Sequence, residues 1–189
     1  MAPHSFIRAF VCVSPPETEL TKLNDFVASV REYPGFKWVK SDQLHITLKF
    51  LGDITSPQAM ALDTNLSRLG GTRPFVISLR GVGAFPSESR PRTLWLGIGD
   101  GAESLVRLAS FVDKASVSSG CERGLRKFHP HVTLARARHE GGEIGISGDL
   151  AEKLSDIPDI SWTCGSFVLM KSELTSSGPV YTPMGKYDL

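Results

Sequence analysis

The chain has 189 residues, a formal net charge of +1 and 41% hydrophobic residues. That apolar content supports a substantial core and excludes wholesale disorder. Near-neutral charge argues against a protein that coats duplex nucleic acid by electrostatics alone, although a local basic patch remains compatible with it.

Residues 6–13 read as a buried strand stopped by Pro15-Pro16. This apolar run is broken by Arg8 and is too short for the core of a secretory leader. Nor does any stretch approach the ~20 apolar residues of a membrane span. The expectation is a soluble, cytoplasmic protein with no membrane partner. Residues 17–31 follow as a helix, with Leu20, Leu23, Phe26, Val27 and Val30 at helical spacing and Pro16 at its entrance. Two strands are expected next, at 36–39 and 43–51. A helix over 57–69 ends at Gly70-Gly71. Residues 75–80 and 93–98 read as strands around a Gly/Pro-rich connection.

A second run of similar elements follows. Residues 103–117 form an amphipathic helix with Leu105, Leu108, Ala109 and Val112 on one face. The basic segment 123–129 leads into a strand over 131–137. Residues 139–148 are polar and glycine-rich, which predicts a loop. A short helix over 149–154 precedes strands at 167–174 and 180–187, joined by a turn at 176–179. Cys12, Cys121 and Cys164 lack Cys-x-x-Cys spacing and read as free thiols in a reducing compartment, Cys12 as a small core residue. There is no linker, so 1–189 is expected to form a single bilobal domain. The expected class is α+β: two pseudo-symmetric lobes, each an antiparallel sheet with helices on its outer face, around a central catalytic cleft.

The repeat signal lies in two tetrapeptides, His45-Ile46-Thr47-Leu48 and His131-Val132-Thr133-Leu134. With five histidines in the chain, chance supplies about 0.3 His-x-Thr matches. A matching β-branched residue and leucine make coincidence far rarer. In a strand, residues i and i+2 share a face about 6.6 Å apart. Each His/Thr pair can therefore face a cleft while Ile46, Leu48, Val132 and Leu134 face the other way.

Such a pair suits metal-free cleavage of a phosphodiester. One neutral imidazole accepts the proton of an attacking water, and one imidazolium protonates the departing oxygen. Threonine hydroxyls donate to the non-bridging oxygens as charge builds there. A diester carries one negative charge, so electrostatics does not call for a metal, and no cofactor is expected. His129-Pro130-His131 lacks nearby acids or cysteines and reads poorly as a metal pair. The stretch 97–101 is glycine-rich but lacks the Lys-Ser/Thr of a phosphate loop, so it reads as a strand-to-helix turn. The two motifs are chemically equivalent, and the residues alone do not divide acid from base.

Leu44-His45-Ile46-Thr47-Leu48-Lys49-Phe50-Leu51-Gly52, Gly83-Ala84-Phe85-Pro86, Leu94-Trp95-Leu96-Gly97, Pro130-His131-Val132-Thr133-Leu134-Ala135-Arg136 and Ser172-Glu173-Leu174 resemble the two-histidine phosphoesterases. The most similar branch is the LigT-like RNA 2′,3′-cyclic phosphodiesterases, also called 2′-5′ RNA ligases. The resemblance implies a bilobal fold and hydrolysis of 2′,3′-cyclic phosphate RNA ends to 2′-phosphates. It implies His45 as general acid and His131 as general base, with RNA ends or cyclic-phosphate nucleotides as partners; the residues leave the oligomeric state open, with a monomer expected. Two alternatives stay open: 2′-5′ joining of RNA ends, and a non-catalytic module that grips RNA ends or nucleotides.

Arg136 lies on the opposite pleat from His131 if its strand is regular, yet the likeness makes it a phosphate contact. Phe10, Trp38 and Tyr181 are candidate stacking surfaces for a terminal base. Arg123, Arg126, Lys127, Arg136 and Arg138 against Glu122 form a basic run that suits either an RNA backbone or solvent.

Overall fold

Strand β1 (Phe6–Val13) carries a continuous buried run from Ala9 to Val13. Such a run marks a central strand covered on both faces, and β1 lies between two neighbours. The computed structural model describes residues 6–33, 35–68, 72–125, 127–138, 146–176 and 178–189. Within them the order continues α1 (Glu17–Val30), β2 (Phe36–Trp38), a 3-10 turn (Ser41–Gln43), β3 (Ile46–Thr55), α2 (Ser56–Leu66) and β4 (Phe75–Phe85). Then come β5 (Thr93–Ile98), α3 (Ala102–Ser118), β6 (His131–Ala137), α4 (Gly148–Ser155), β7 (Ser161–Cys164), β8 (Ser166–Thr175) and β9 (Gly178–Asp188).

The helices form where the apolar spacing predicts. Leu23, Phe26, Val27 and Val30 bury one face of α1, and Leu105, Leu108, Ala109 and Val112 do so in α3. A capping box starts α2: the Thr55 hydroxyl accepts from the Gln58 backbone N–H, and the Gln58 side chain accepts from the Thr55 N–H at 2.8 Å. Helix α2 packs on α3, and α1 on α4.

The strands run in the order β7-β4-β5-β6-β3-β1-β8-β9, with β2 also on β6. Every pairing is antiparallel. The two expected sheets are thus joined into one. Their seam is the β3–β6 contact, where Ile46 faces Val132. Both side chains are fully buried. An approximate twofold through this pair relates β6-β5-β4 to β3-β1-β8.

Both motif strands carry a bulge at the same place. In β3, Thr47 faces Cys12 and Lys49 faces Val11, so Leu48 is the extra residue. In β6, Thr133 faces Trp95 and Ala135 faces Leu94, so Leu134 is the extra residue. A bulge reverses the alternation of the side chains that follow it.

Several boundaries differ from expectation, and one strand is added to it. Strand β3 starts at Ile46 because Ser41–Gln43 closes a 3-10 turn. Strand β4 runs on to Phe85, since its Gly-rich end still pairs with β5. The four-residue β7 was too short to show a period. The expected loop at 139–148 lies largely outside the described residues, as do His139, Arg126 and Ser177.

Candidate active site

The seam fixes the site. Residues flanking an opposed antiparallel pair point to the other face of the sheet. Since Ile46 and Val132 point into the core, His45, Thr47, His131 and Thr133 point away from it, into one cleft. His45 comes opposite Thr133, and His131 opposite Thr47. All four side chains are half-buried.

The two imidazoles are held alike. His45 Nδ1 lies 2.7 Å from the Gln43 carbonyl oxygen, and His131 Nδ1 lies 2.7 Å from that of His129. A carbonyl only accepts, so each Nδ1 carries the proton and each Nε2 is left as the reactive nitrogen. His45 Nε2 lies 3.0 Å from the Thr47 hydroxyl. That hydroxyl donates to the neutral ring and accepts from the protonated one.

Burial pushes His45 down from 6.5 to about 4; the Gln43 carbonyl opposes this, while His131 and Arg136 add to it. Burial also lowers His131, against the stabilising His129 carbonyl and with help from His129 and Arg136. Both rings are therefore neutral at pH 7 until an anion arrives. A bound phosphodiester brings the charge that favours the imidazolium.

Arg136 reaches the cleft because of the bulge. After Leu134 the alternation inverts, and Arg136 returns to the face of His131 and Thr133, opposite Thr93. Its positive charge acts on His45, His131 and Tyr181. The equivalent bulge in β3 brings Phe50 to the matching position, where it is 72% exposed. One end of the cleft is thus cationic and the other aromatic.

The three aromatic candidates separate. Tyr181 stands edge-on to His45, with ring centroids 5.5 Å apart. The Gln43 side chain ties the 3-10 turn to the Pro179 carbonyl beside it at 2.8 Å. Phe10 stacks on His45 at 4.9 Å but is only 4% exposed, with Tyr181 against it at 4.8 Å. It buttresses the imidazole and presents no open face to a base. Trp38 corrects the expectation further. It faces Ala135 and packs on Phe36 in the core, on the side away from the cleft.

Sequence reasoning missed the wall around His131. Phe85 stands edge-on to His131 at 5.2 Å, and Trp95 lies 6.1 Å from it. His129 packs against Trp95 at 4.9 Å and is nearly parallel to His131 at 6.2 Å. The segments Gly83-Ala84-Phe85-Pro86 and Leu94-Trp95-Leu96-Gly97, which carry part of the family likeness, were the available signal, and their glycines explain it. A Cβ on Gly83 would sit 2.3 Å from the Trp95 ring, so the indole lies across a glycine floor. Cys12 faces Thr47 but is fully buried, and burial pushes its thiol up to about 12. It is therefore no nucleophile.

The model of a family described as LigT-like phosphoesterases matches the chain twice, over residues 13–95 and 96–181. The division falls between the two motifs. The RNA 2′,3′-cyclic phosphodiesterase of Aeropyrum pernix is 36% identical over 162 residues, covering 86% of this chain and 90% of its own. That of Archaeoglobus fulgidus is 31% identical, covering 96% of this chain and 100% of its own. The crystal structure of Escherichia coli LigT complexed with 3′-AMP superposes with a TM-score of 0.77 at 26% identity, covering 98% of this chain and 99% of that one.

Proposed function

Because this chain belongs to the LigT-like phosphoesterase family, we propose that it hydrolyses RNA 2′,3′-cyclic phosphate ends to 2′-phosphate ends through His45 and His131. By homology it is an RNA 2′,3′-cyclic phosphodiesterase. The observation that carries the mechanism is the matched tethering of the two Nδ1 atoms, which leaves both Nε2 atoms on one cleft.

The anionic phosphate settles between the strands under the Arg136 charge. Water attacks phosphorus, and His131 Nε2 takes its proton. The P–O3′ bond breaks, and His45 Nε2 delivers its proton to O3′. One water is consumed, the phosphate stays on O2′, and solvent exchange resets the two rings. Thr47 and Thr133 donate to the non-bridging oxygens as they gain charge. Each proton transfer contributes typically ~10²–10⁴-fold. The acid role of His45 follows the family resemblance.

A leaving-group test divides the roles. An activated aryl phosphodiester needs no protonation on departure. His45→Ala is expected to regain most of its lost rate on that substrate, whereas His131→Ala stays impaired. Rescue of His131→Ala instead would reverse the assignment. Rescue of neither would remove the acid–base reading.

A further inference from the structure

One cation beside the cleft has no partner in the reaction just described. Lys37 is the middle residue of β2, between Phe36 and Trp38, which both turn into the core. Lys37 therefore projects from the cleft face, and it is exposed. Its ladder partner on β6 is Arg136.

Like charges directly opposite each other on neighbouring strands are destabilising. Folded proteins usually relieve such a pair with a carboxylate. Here the described residues supply none: neither side chain forms an ion pair or hydrogen bond with them. This pair of like charges lies one pleat repeat, about 6.6 Å, beyond the point where His45 comes opposite Thr133. That step is comparable with the separation of successive phosphates along a single RNA strand.

We propose that Lys37 and Arg136 form a second anion subsite that holds the phosphate on the 5′ side of the terminal nucleotide. The proposal rests on the phosphodiesterase reading and adds to it a preference for chain ends over lone nucleosides. The reacting phosphate lies between the histidines with its O3′ toward His45, and the preceding phosphate bridges the two cations. Binding then relieves the cross-strand repulsion. Arg136 serves both phosphates, whereas Lys37 serves the second alone.

The test compares adenosine 2′,3′-cyclic phosphate with the same compound carrying a 5′-phosphate. The added group supplies the second anion without a second base. In the wild type the 5′-phosphate should raise kcat/KM about tenfold through KM, as expected for one charge-assisted contact. Lys37→Ala should remove most of that advantage, Arg136 keeping the remainder, while leaving turnover of the unphosphorylated compound unchanged. Lys37→Arg should restore most of it, and added salt should shrink it in the wild type. An equal advantage in wild type and Lys37→Ala, or no advantage in the wild type, overturns the subsite. Failure of the wild type to cleave either compound overturns the subsite, and failure on a cyclic-ended oligoribonucleotide as well would remove the phosphodiesterase reading itself.

Discussion

Each imidazole proposed for catalysis has a carbonyl on one nitrogen and the cleft on the other, so its chemistry is set by how little water surrounds it. Both pKa values are lowered, His45 to about 4. A lowered ring loses its proton at lower pH than an ordinary histidine. The singly protonated pair in the free enzyme therefore spans about pH 4 to below 6.5. The profile of kcat/KM should be a bell within that window, and that of kcat should lie higher because bound phosphate favours the imidazolium. Initial rates across pH 4–9 check this; a kcat/KM that climbs steadily through pH 8 contradicts it. The same shift bears on stability. His45 stays neutral when folded but takes up a proton near 6.5 when unfolded. Its contribution is complete above that pH and is lost as pH falls toward 4, by on the order of 3 kcal/mol. Thermal melts should fall over this range, and His45→Gln should flatten the decline. Gly83→Ala should lift the Trp95 indole off its floor. A loss of about 1–3 kcal/mol in denaturant melts is expected for such overpacking. The His/Thr pairs were legible because alternation alone puts each pair on one face. The environments of Arg136 and Phe50 were not, because a bulge belongs to the pairing of two strands. The face taken by Trp38 was not legible either, for a different reason: an aromatic residue in a three-residue strand carries no sign of which face it takes.

At the next scale, the segments before and after the motifs are bolted together. Lys49 follows the first motif on the core face of β3, and its side chain is 6% exposed. It bonds Asp113 of α3 and, at 2.7 Å, the carbonyl of Glu122. Asp113 also accepts from the Gly124 backbone N–H at 2.9 Å. The strand behind His45 is thereby fastened to the connection that leads to His131. Asp113→Ala would leave a buried ammonium and should cost about 2–3 kcal/mol, less than a fully dry pair because Asp113 is 30% exposed. The double variant Lys49→Met/Asp113→Ala should be milder in urea unfolding. A larger loss in the double variant would count against the clamp. Helices and long strands were legible at this scale because their apolar periods run for many residues. The Lys49–Asp113 pair was not, since it joins residues 64 positions apart.

The whole molecule is a near-symmetric pair of half-sheets, with Arg136 at one end of the cleft where Phe50 stands at the other. The halves share the Ile46–Val132 seam. They also share helix layers, because α2 of the first half packs on α3 of the second, and α1 on α4. A single cooperative unfolding transition is expected, and Ile46→Ala should weaken it by about 2–5 kcal/mol. Two separated transitions would show that the halves are independent. The repeated architecture was legible from the paired motifs. The fusion of two sheets into one was not, because it depends on one cross-strand pair. Two imidazoles sharing one phosphate are tested most directly by following a cyclic-ended oligoribonucleotide through wild type, His45→Ala, His131→Ala and the double variant. Wild type should leave the phosphate on the 2′ hydroxyl, and each single variant should lose at least ~10² in rate. The double variant should be little worse than the poorer single one. Wild-type turnover in either single variant would show that the two imidazoles do not act together on the phosphate.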